Sequence, residues 1–210
     1  MVYLSGFQIG KGAIFKVRDQ YFEGELFEHI SLSEETVQGC EFVDCQFINC
    51  SFEKCRVVQC SFSECRFVSC DIIEVSSEYS QAKFLELDRC SLVGVNWSVW
   101  KSAGRFGSVL SKVTDCKIKY NTFTEMDFPK FDFSGSSITG SMFARADLSK
   151  SNFRGCDLTD TEFFQCDLRK ADFRGASGYK VDILSCKVKD AKFSYPEAID
   201  LLHYLGISVE

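Results

Sequence analysis

Large apolar residues fall on every fifth position through most of the chain. From Gly39 the sequence reads GCEFVD CQFIN CSFEK CRVVQ CSFSE CRFVS CDIIE, with apolar centres at Phe42, Phe47, Phe52, Val57, Phe62, Phe67 and Ile72. The register runs back through Val37, Leu32, Phe27 and Phe22 and resumes at Leu87, Leu92 and Trp97. A second array has centres from Val113, Ile118 and Phe123 through Phe173, then at Ile183, Val188 and Phe193, with Gly178 interrupting it. A period of five is neither helical nor strand-like, so neither simple element explains it.

The cysteines sharpen the pattern. All 12 of them, from Cys40 to Cys186, stand two before a centre, a slot shared with Ala146, Ala171, Ala176 and Ala191. Each unit is therefore small, polar, large, polar, polar. The small and large residues share one side of a short extended segment, the polar residue between them faces out, and the last two residues turn a corner. A chain that turns every five residues coils up, and stacked coils bury both inward slots. Phe133, Phe153, Phe173 and Phe193 recur at intervals of 20, as do Phe123, Phe143 and Phe163, which sets four units to a coil. Gln20 to Tyr195 then makes about eight to nine coils, a rod of roughly 40 Å at strand spacing.

Units such as ARADLSK, GCDLTD, QCDLRK and KADFRGA resemble the A-(D/N)-L-x-x unit of the pentapeptide-repeat family over about four-fifths of the chain. The resemblance implies an all-β fold, a right-handed quadrilateral β-helix. The chain divides into an N-terminal cap (1–19), a first array (20–97), an irregular loop or bulge (98–110), a second array (111–195), and a C-terminal helix and strand (196–210).

The irregularities follow from the register. Trp97 to Val113 is 16 residues, so an insertion of one, six or eleven lies between Ser98 and Leu110. It is either a loop with an exposed aromatic or a buried kink between arrays. Between Glu74 and Ala82 the centre slots hold Ser77 and Ala82, and Ala82-Lys83-Phe84 offers a competing register, which predicts a small loop. Pro196 and Glu197 mark a helix start, Ala198, Leu201, Leu202 and Leu205 follow at helical spacing, and Gly206 is a stop. Ile207-Ser208-Val209 alternates like a short strand. This tail either plugs the rod or makes a dimer contact through Leu201, Leu202, Leu205, Ile207 and Val209.

Candidate chemistry is sparse. There are 2 His, and no serine-hydrolase, zinc-protease or phosphate-loop pattern accompanies them. The cysteine spacing lacks the close pairs of a zinc site. Evenly placed inward thiols fit core filler in a reducing, cytoplasmic setting better than disulfides. No catalytic residue, metal or cofactor is expected. No apolar run of membrane-spanning length occurs, and nothing at Met1–Lys16 resembles a secretory signal. The formal net charge of −6 argues against direct nucleic-acid binding.

Asp127, Asp132, Asp147, Asp157, Glu162, Asp167, Asp172 and Asp182 each precede a centre and point outward, with Asp127, Asp147 and Asp167 expected in one column. Each such Asp can simply bond backbone N–H groups at its corner. Together the carboxylates could form an acidic face. Duplex DNA of the rod's length carries about 24 charges, so mimicry would rest on shape and a local face. Residues 1–110 hold 15 acids and 10 bases, and residues 111–210 hold 15 and 14.

The tail, and the stretch Gly94-Val95-Asn96-Trp97, are similar to the pentapeptide-repeat proteins that protect DNA gyrase. The immunity branch that counters albicidin and microcin resembles them more than the Qnr and mycobacterial fluoroquinolone-resistance branches do. That resemblance implies a homodimer that mimics DNA and binds DNA gyrase or topoisomerase IV, shielding it from an inhibitor. Trp100, Lys101, Arg105 and Phe106 in the irregular segment, with Asp127, Asp147 and Asp167, are the candidate partner contacts. The alternative is a non-catalytic scaffold or binding module with an unrelated protein partner.

Overall fold

In the computed structural model, residues 18–100 and 108–208 are described. Three-residue strands Tyr21–Glu23, Leu26–Glu28, Ser31–Ser33 and Thr36–Gln38 form one square coil. Each pairs in parallel with the strand 20 residues on, Phe22 opposite Phe42, Phe27 opposite Phe47, Leu32 opposite Phe52 and Val37 opposite Val57. Repetition builds a four-faced β-solenoid. The first face carries Phe22, Phe42 and Phe62, the second Phe27, Phe47 and Phe67, the third Leu32, Phe52 and Ile72, and the fourth Val37 and Val57.

Two devices turn the corner. The residue two after nearly every centre takes a left-handed conformation, as at Asp44 (φ +50°), Asn49 (+52°) and Lys150 (+63°). That conformation disfavours side chains by about 1–2 kcal/mol. The offset comes from cooperation between coils: the N–H of Asp44 bonds Ser63 O at 2.9 Å, and the N–H of Lys150 bonds Arg169 O at 2.8 Å. On the first and second faces of the second array the corner tightens further. The N–H of Ser151 bonds Leu148 O (3.1 Å) and that of Cys156 bonds Phe153 O (3.2 Å), closing four-residue turns with the left-handed residue third.

The inward slots do different work. Aromatic centres stack along the axis: Phe133–Phe153 and Phe153–Phe173 have ring centroids 4.9 and 4.8 Å apart and are nearly parallel. Around the square they meet edge-on, as Phe143 meets Phe153 at 80°. The small slot carries hydrogen bonds. The backbone N–H of Cys40 donates to Cys60 Sγ (3.3 Å), and Cys60 Sγ lies 3.3 Å from Val58 O. Ser80 repeats this geometry: it accepts from the N–H of Cys60 at 3.0 Å and donates to Val57 O at 3.1 Å. All twelve cysteines are free and buried.

The arrays differ in packing. The second is filled, with Phe123, Phe133, Phe143, Phe153 and Phe173 all fully buried. The first, with Val57 and Ala82 at centre positions, keeps an apolar cavity of about 120 Å³ along its interior, lined by Phe42, Val57, Phe62, Ile72, Leu87 and Trp100 among others.

Several expectations need correction. No loop interrupts 74–82. Strands Ser76–Glu78 and Gln81–Lys83 hold the original register, Ala82 opposite Phe62, because Ser80 supplies the corner hydrogen bonds and Trp100 packs on Phe62 beside the small Ala82. Phe84, the competing centre, instead stands outward at a corner. The insertion is six residues long, since Leu92 pairs with Ile118, 26 residues on instead of 20. In the second array Val181, not Ile183, lies opposite Phe163, because the chain is two residues short at Gly178. Tyr179 turns inward there, 5.5 Å from Phe173 and 5.6 Å from Phe193.

The tail Glu197–Leu205 winds as a 3₁₀-helix, not an α-helix. Pro196 brings no N–H and no side chain caps the first turn. Gly206 ends it at φ +71°, as expected of a stop. Ile207 and Ser208 form no strand, and Val209 lies outside the described residues.

Candidate functional site

The Asp column exists. Asp127 bridges Asp147 and Asp147 bridges Asp167, each one coil apart. Its chemistry is mostly local. Asp147 Oδ1 accepts the N–H of Ser149 (2.9 Å), Asp157 that of Thr159 (3.0 Å), and Asp182 that of Leu184 (3.0 Å), so these short side chains cap their corners. Hydrogen bonds from Thr159 hold the Asp157 carboxyl below the usual range, and the hydroxyl of Ser185 does so for Asp182.

Cations cover what remains. Arg169 grips both oxygens of Asp167, with Nε at 2.8 and 3.0 Å. Arg174 places Nη2 2.6 Å from Asp172, pushing that carboxyl down to about 2. The carboxylates are sunk while the guanidiniums stand out: side-chain exposure is 15% for Asp167 against 56% for Arg169. The columns end on Lys187 below Asp167 and on Lys192 below Asp172. The second array therefore offers no uninterrupted acidic face.

The acidic excess lies in the first array, where Arg56, Arg66 and Arg89 also pair with carboxylates. Residues 18–100 contain fifteen carboxylates and six cations, net −9, whereas residues 108–208 contain fourteen of each. Four coils at about 4.8 Å make roughly 20 Å, over which duplex DNA carries about 12 charges. Bases at Lys11, Lys16, Lys101 and Arg105 lower the count for the whole N-terminal half and hide this density.

The other predicted contacts scatter. Trp100 is only 8% exposed and meets Phe62 edge-on at 5.9 Å, so at this residue the segment is a buried kink. Lys101, Arg105 and Phe106 lie outside the described residues. In the tail, Leu201 packs against the core and Leu202 is half-buried, while Leu205 and Ile207 are 51% and 45% exposed.

Among the described residues no cluster of His, Cys, Asp and Glu could hold a metal, and no helix is long and apolar enough to cross a membrane. Burial raises the thiols of Cys55 and Cys156, the latter to about 12, so neither is a thiolate at neutral pH.

Comparison with known proteins agrees with this architecture. The family described as Pentapeptide repeats matches residues 40–76, 122–155 and 156–194, in 8 copies. The chain belongs to the pentapeptide-repeat family. No curated protein matches it in sequence. Among solved structures it is similar to HetL, a pentapeptide repeat protein involved in heterocyst differentiation regulation from the cyanobacterium Nostoc sp. strain PCC 7120. That likeness has a TM-score of 0.57 and 16% identity over 84% of this chain and 89% of HetL. It is also similar to trypsin-treated QnrB1, a plasmid-mediated fluoroquinolone resistance protein, with a TM-score of 0.43 and 20% identity over 93% of this chain and 100% of that one. The likeness to HetL concerns the fold.

Proposed function

We propose that this pentapeptide-repeat protein acts without covalent chemistry, by occupying the DNA-binding surface of DNA gyrase or topoisomerase IV and shielding the enzyme from an inhibitor. The observation that carries the reading is the charge of the first array, net −9 over residues 18–100 on a narrow rod. That approaches the linear charge of a duplex and is complementary to a cationic DNA-binding saddle. The acidic contact is thus assigned to the first array, with Asp44 and Glu64 on one exposed corner and Glu41 on the adjoining first face, and not to the Asp127–Asp147–Asp167 column. Exposed Leu205 and Ile207 would serve a tail contact between two copies. Twelve buried free thiols suit work in the reducing cytoplasm.

The test is a supercoiling assay with gyrase and a gyrase poison, with and without this protein. Protection by the wild type, lost in a Glu41→Lys/Asp44→Lys/Glu64→Lys variant, is the expected result. No change in supercoiling at any protein concentration removes the reading.

A further inference from the structure

The two arrays place their large rings differently. In the first, phenylalanine ladders stand on adjacent faces: Phe42 stacks on Phe62 at 4.7 Å on the first face, and Phe47 on Phe67 at 4.6 Å on the second. The fourth face, opposite the second, holds Val37, Val57 and Ser77, paired in that order. The same column goes on through Trp97, whose neighbour Asn96 bridges Thr122, to Phe123, Phe143, Phe163 and Val181. In the second array Phe153 of the second face meets Phe163 of the fourth across the interior, with ring centroids 5.5 Å apart. In the first, no ring reaches in from the fourth face before Trp97. The shortfall grows in its third and fourth coils, where Ser77 and then Ala82 take centre slots.

The apolar cavity of about 120 Å³ lies where this material is missing. Its lining comes wholly from residues 22–100, with Phe22 and Phe27 of the first coil at one end and Trp97 and Trp100 of the fourth at the other. Four coils put about 14 Å between those ends, so the space is long and narrow. Rings that face it keep surface that their counterparts lose. Phe52 and Phe62, in the second and third coils, are only half-buried, whereas Phe143 and Phe153 are fully buried. No lining side chain is charged or carries a hydroxyl. The thiol of Cys55 points to Leu32 O at 3.5 Å, the indole N–H of Trp97 is spent on Asn121, and the indole nitrogen of Trp100 is itself covered. Water in such a space needs two to four polar partners, and this lining supplies none. Apolar cavities of about 150 Å³ with linings of this kind stay dry and take up benzene or xenon.

We infer that the interior of the first array is a binding site for one slim, uncharged hydrocarbon, a straight alkyl chain lying along the rod axis. Its methylenes leave water for an apolar lining and restore the dispersion contacts that empty space forfeits. A saturated ring is wider than a chain and has to push the aromatic ladders apart, which a close-packed core resists. A charged or hydroxylated molecule gives up hydrogen bonds to water and gains none in return. The site lies inside the rod, apart from the acidic surface, and is independent of topoisomerase binding.

Uptake of n-hexane by the full chain, read by gas chromatography as loss of hexane from the headspace vapour, tests this. Saturable binding of one hexane per folded chain is expected, with none retained by the chain in urea. Cyclohexane should bind about tenfold more weakly. Val57→Phe gives the first array the residue that Phe143 and Phe163 already place in the same column, and it should abolish uptake. Ile72→Phe closes the cavity from the third face, where Phe52 stands one coil before it, and circular dichroism checks the fold of both variants. A wild type that retains no more hexane than its urea-unfolded chain overturns the inference. So does cyclohexane that binds as tightly as hexane, or uptake that is unchanged in either folded variant.

Discussion

Trp97 donates its indole N–H to Oδ1 of Asn121, 2.9 Å away, across the insertion that separates the two arrays. Asn121 is completely buried in a small slot, and its Nδ2 donates to Leu92 O and Lys119 O, each at 2.8 Å. One amide thus ties the coil before the insertion to the coil after it. Truncating Asn121 to Ala strands an indole donor in the core and takes one hydrogen bond from Leu92 O and from Lys119 O, the latter still accepting the N–H of Gly94. We expect a loss of about 3–5 kcal/mol in urea unfolding, against about 1–3 kcal/mol for Trp97→Phe, which orphans only one acceptor. Equal, small losses would show that the seam does not depend on this amide.

The cysteine ladders behave as hydrogen-bonding spacers, since Ser80 and Ser136 make the same contacts that Cys60 and Cys90 make, in the same slot. Cys60→Ser is therefore expected to unfold within about 1 kcal/mol of wild type. Cys60→Val, which leaves the N–H of Cys40 without an acceptor, should cost about 1–3 kcal/mol. A thiol reagent should find no reactive cysteine in the native protein and all twelve after denaturation. Rapid labelling of native protein would contradict the inward placement.

Ser77 occupies a centre slot opposite Val57, and its hydroxyl is buried without a partner. Restoring the apolar centre with Ser77→Val removes an unpaired polar atom and adds hydrocarbon to an array that already contains empty space. The expected outcome is stabilisation by about 1–2 kcal/mol, seen as a higher urea midpoint at unchanged slope. Destabilisation would mean that the hydroxyl does have a partner.

The solenoid is legible in the sequence because two residue types mark its two inward slots at a fixed interval, from Cys40 and Phe42 to Cys166 and Leu168. Local compensation is harder to see. Trp100 reads as a candidate contact, yet it stands five after Val95 and twenty after Ser80, in the small inward slot ahead of the inserted residues, where it packs on Phe62. Val181 displaces Ile183 because Gly178 shortens one face, and only the inward turn of Tyr179 reveals it. The Asp columns stand where their spacing puts them, but their meaning changes with Arg169 and Arg174, which reach back two residues.

Asp172 offers a pH test with a built-in control. Arg174 donates its backbone N–H and side-chain Nε to Oδ1 at 3.2 and 2.9 Å, and Nη2 to Oδ2 at 2.6 Å, which together hold the carboxyl at about 2. A folded-state value below the ordinary carboxylate value near ~3.9 means that the group stabilises the fold fully above that pH. The contribution fades as pH falls from there towards about 2. One coil earlier in the column stands Asn152, whose Oδ1 accepts the N–H of Arg154 at 3.1 Å. Asn can therefore keep the corner bond and lose only the pairing with arginine. Asp172→Asn should cost about 1 kcal/mol at pH 7, discounted for the exposed guanidinium. That deficit should shrink towards zero between about pH 4 and pH 2, because there the wild type loses what the variant never had. Urea midpoints of both proteins across that range provide the check, and a deficit constant with pH would place the stabilisation in the corner bond and not in the ion pair.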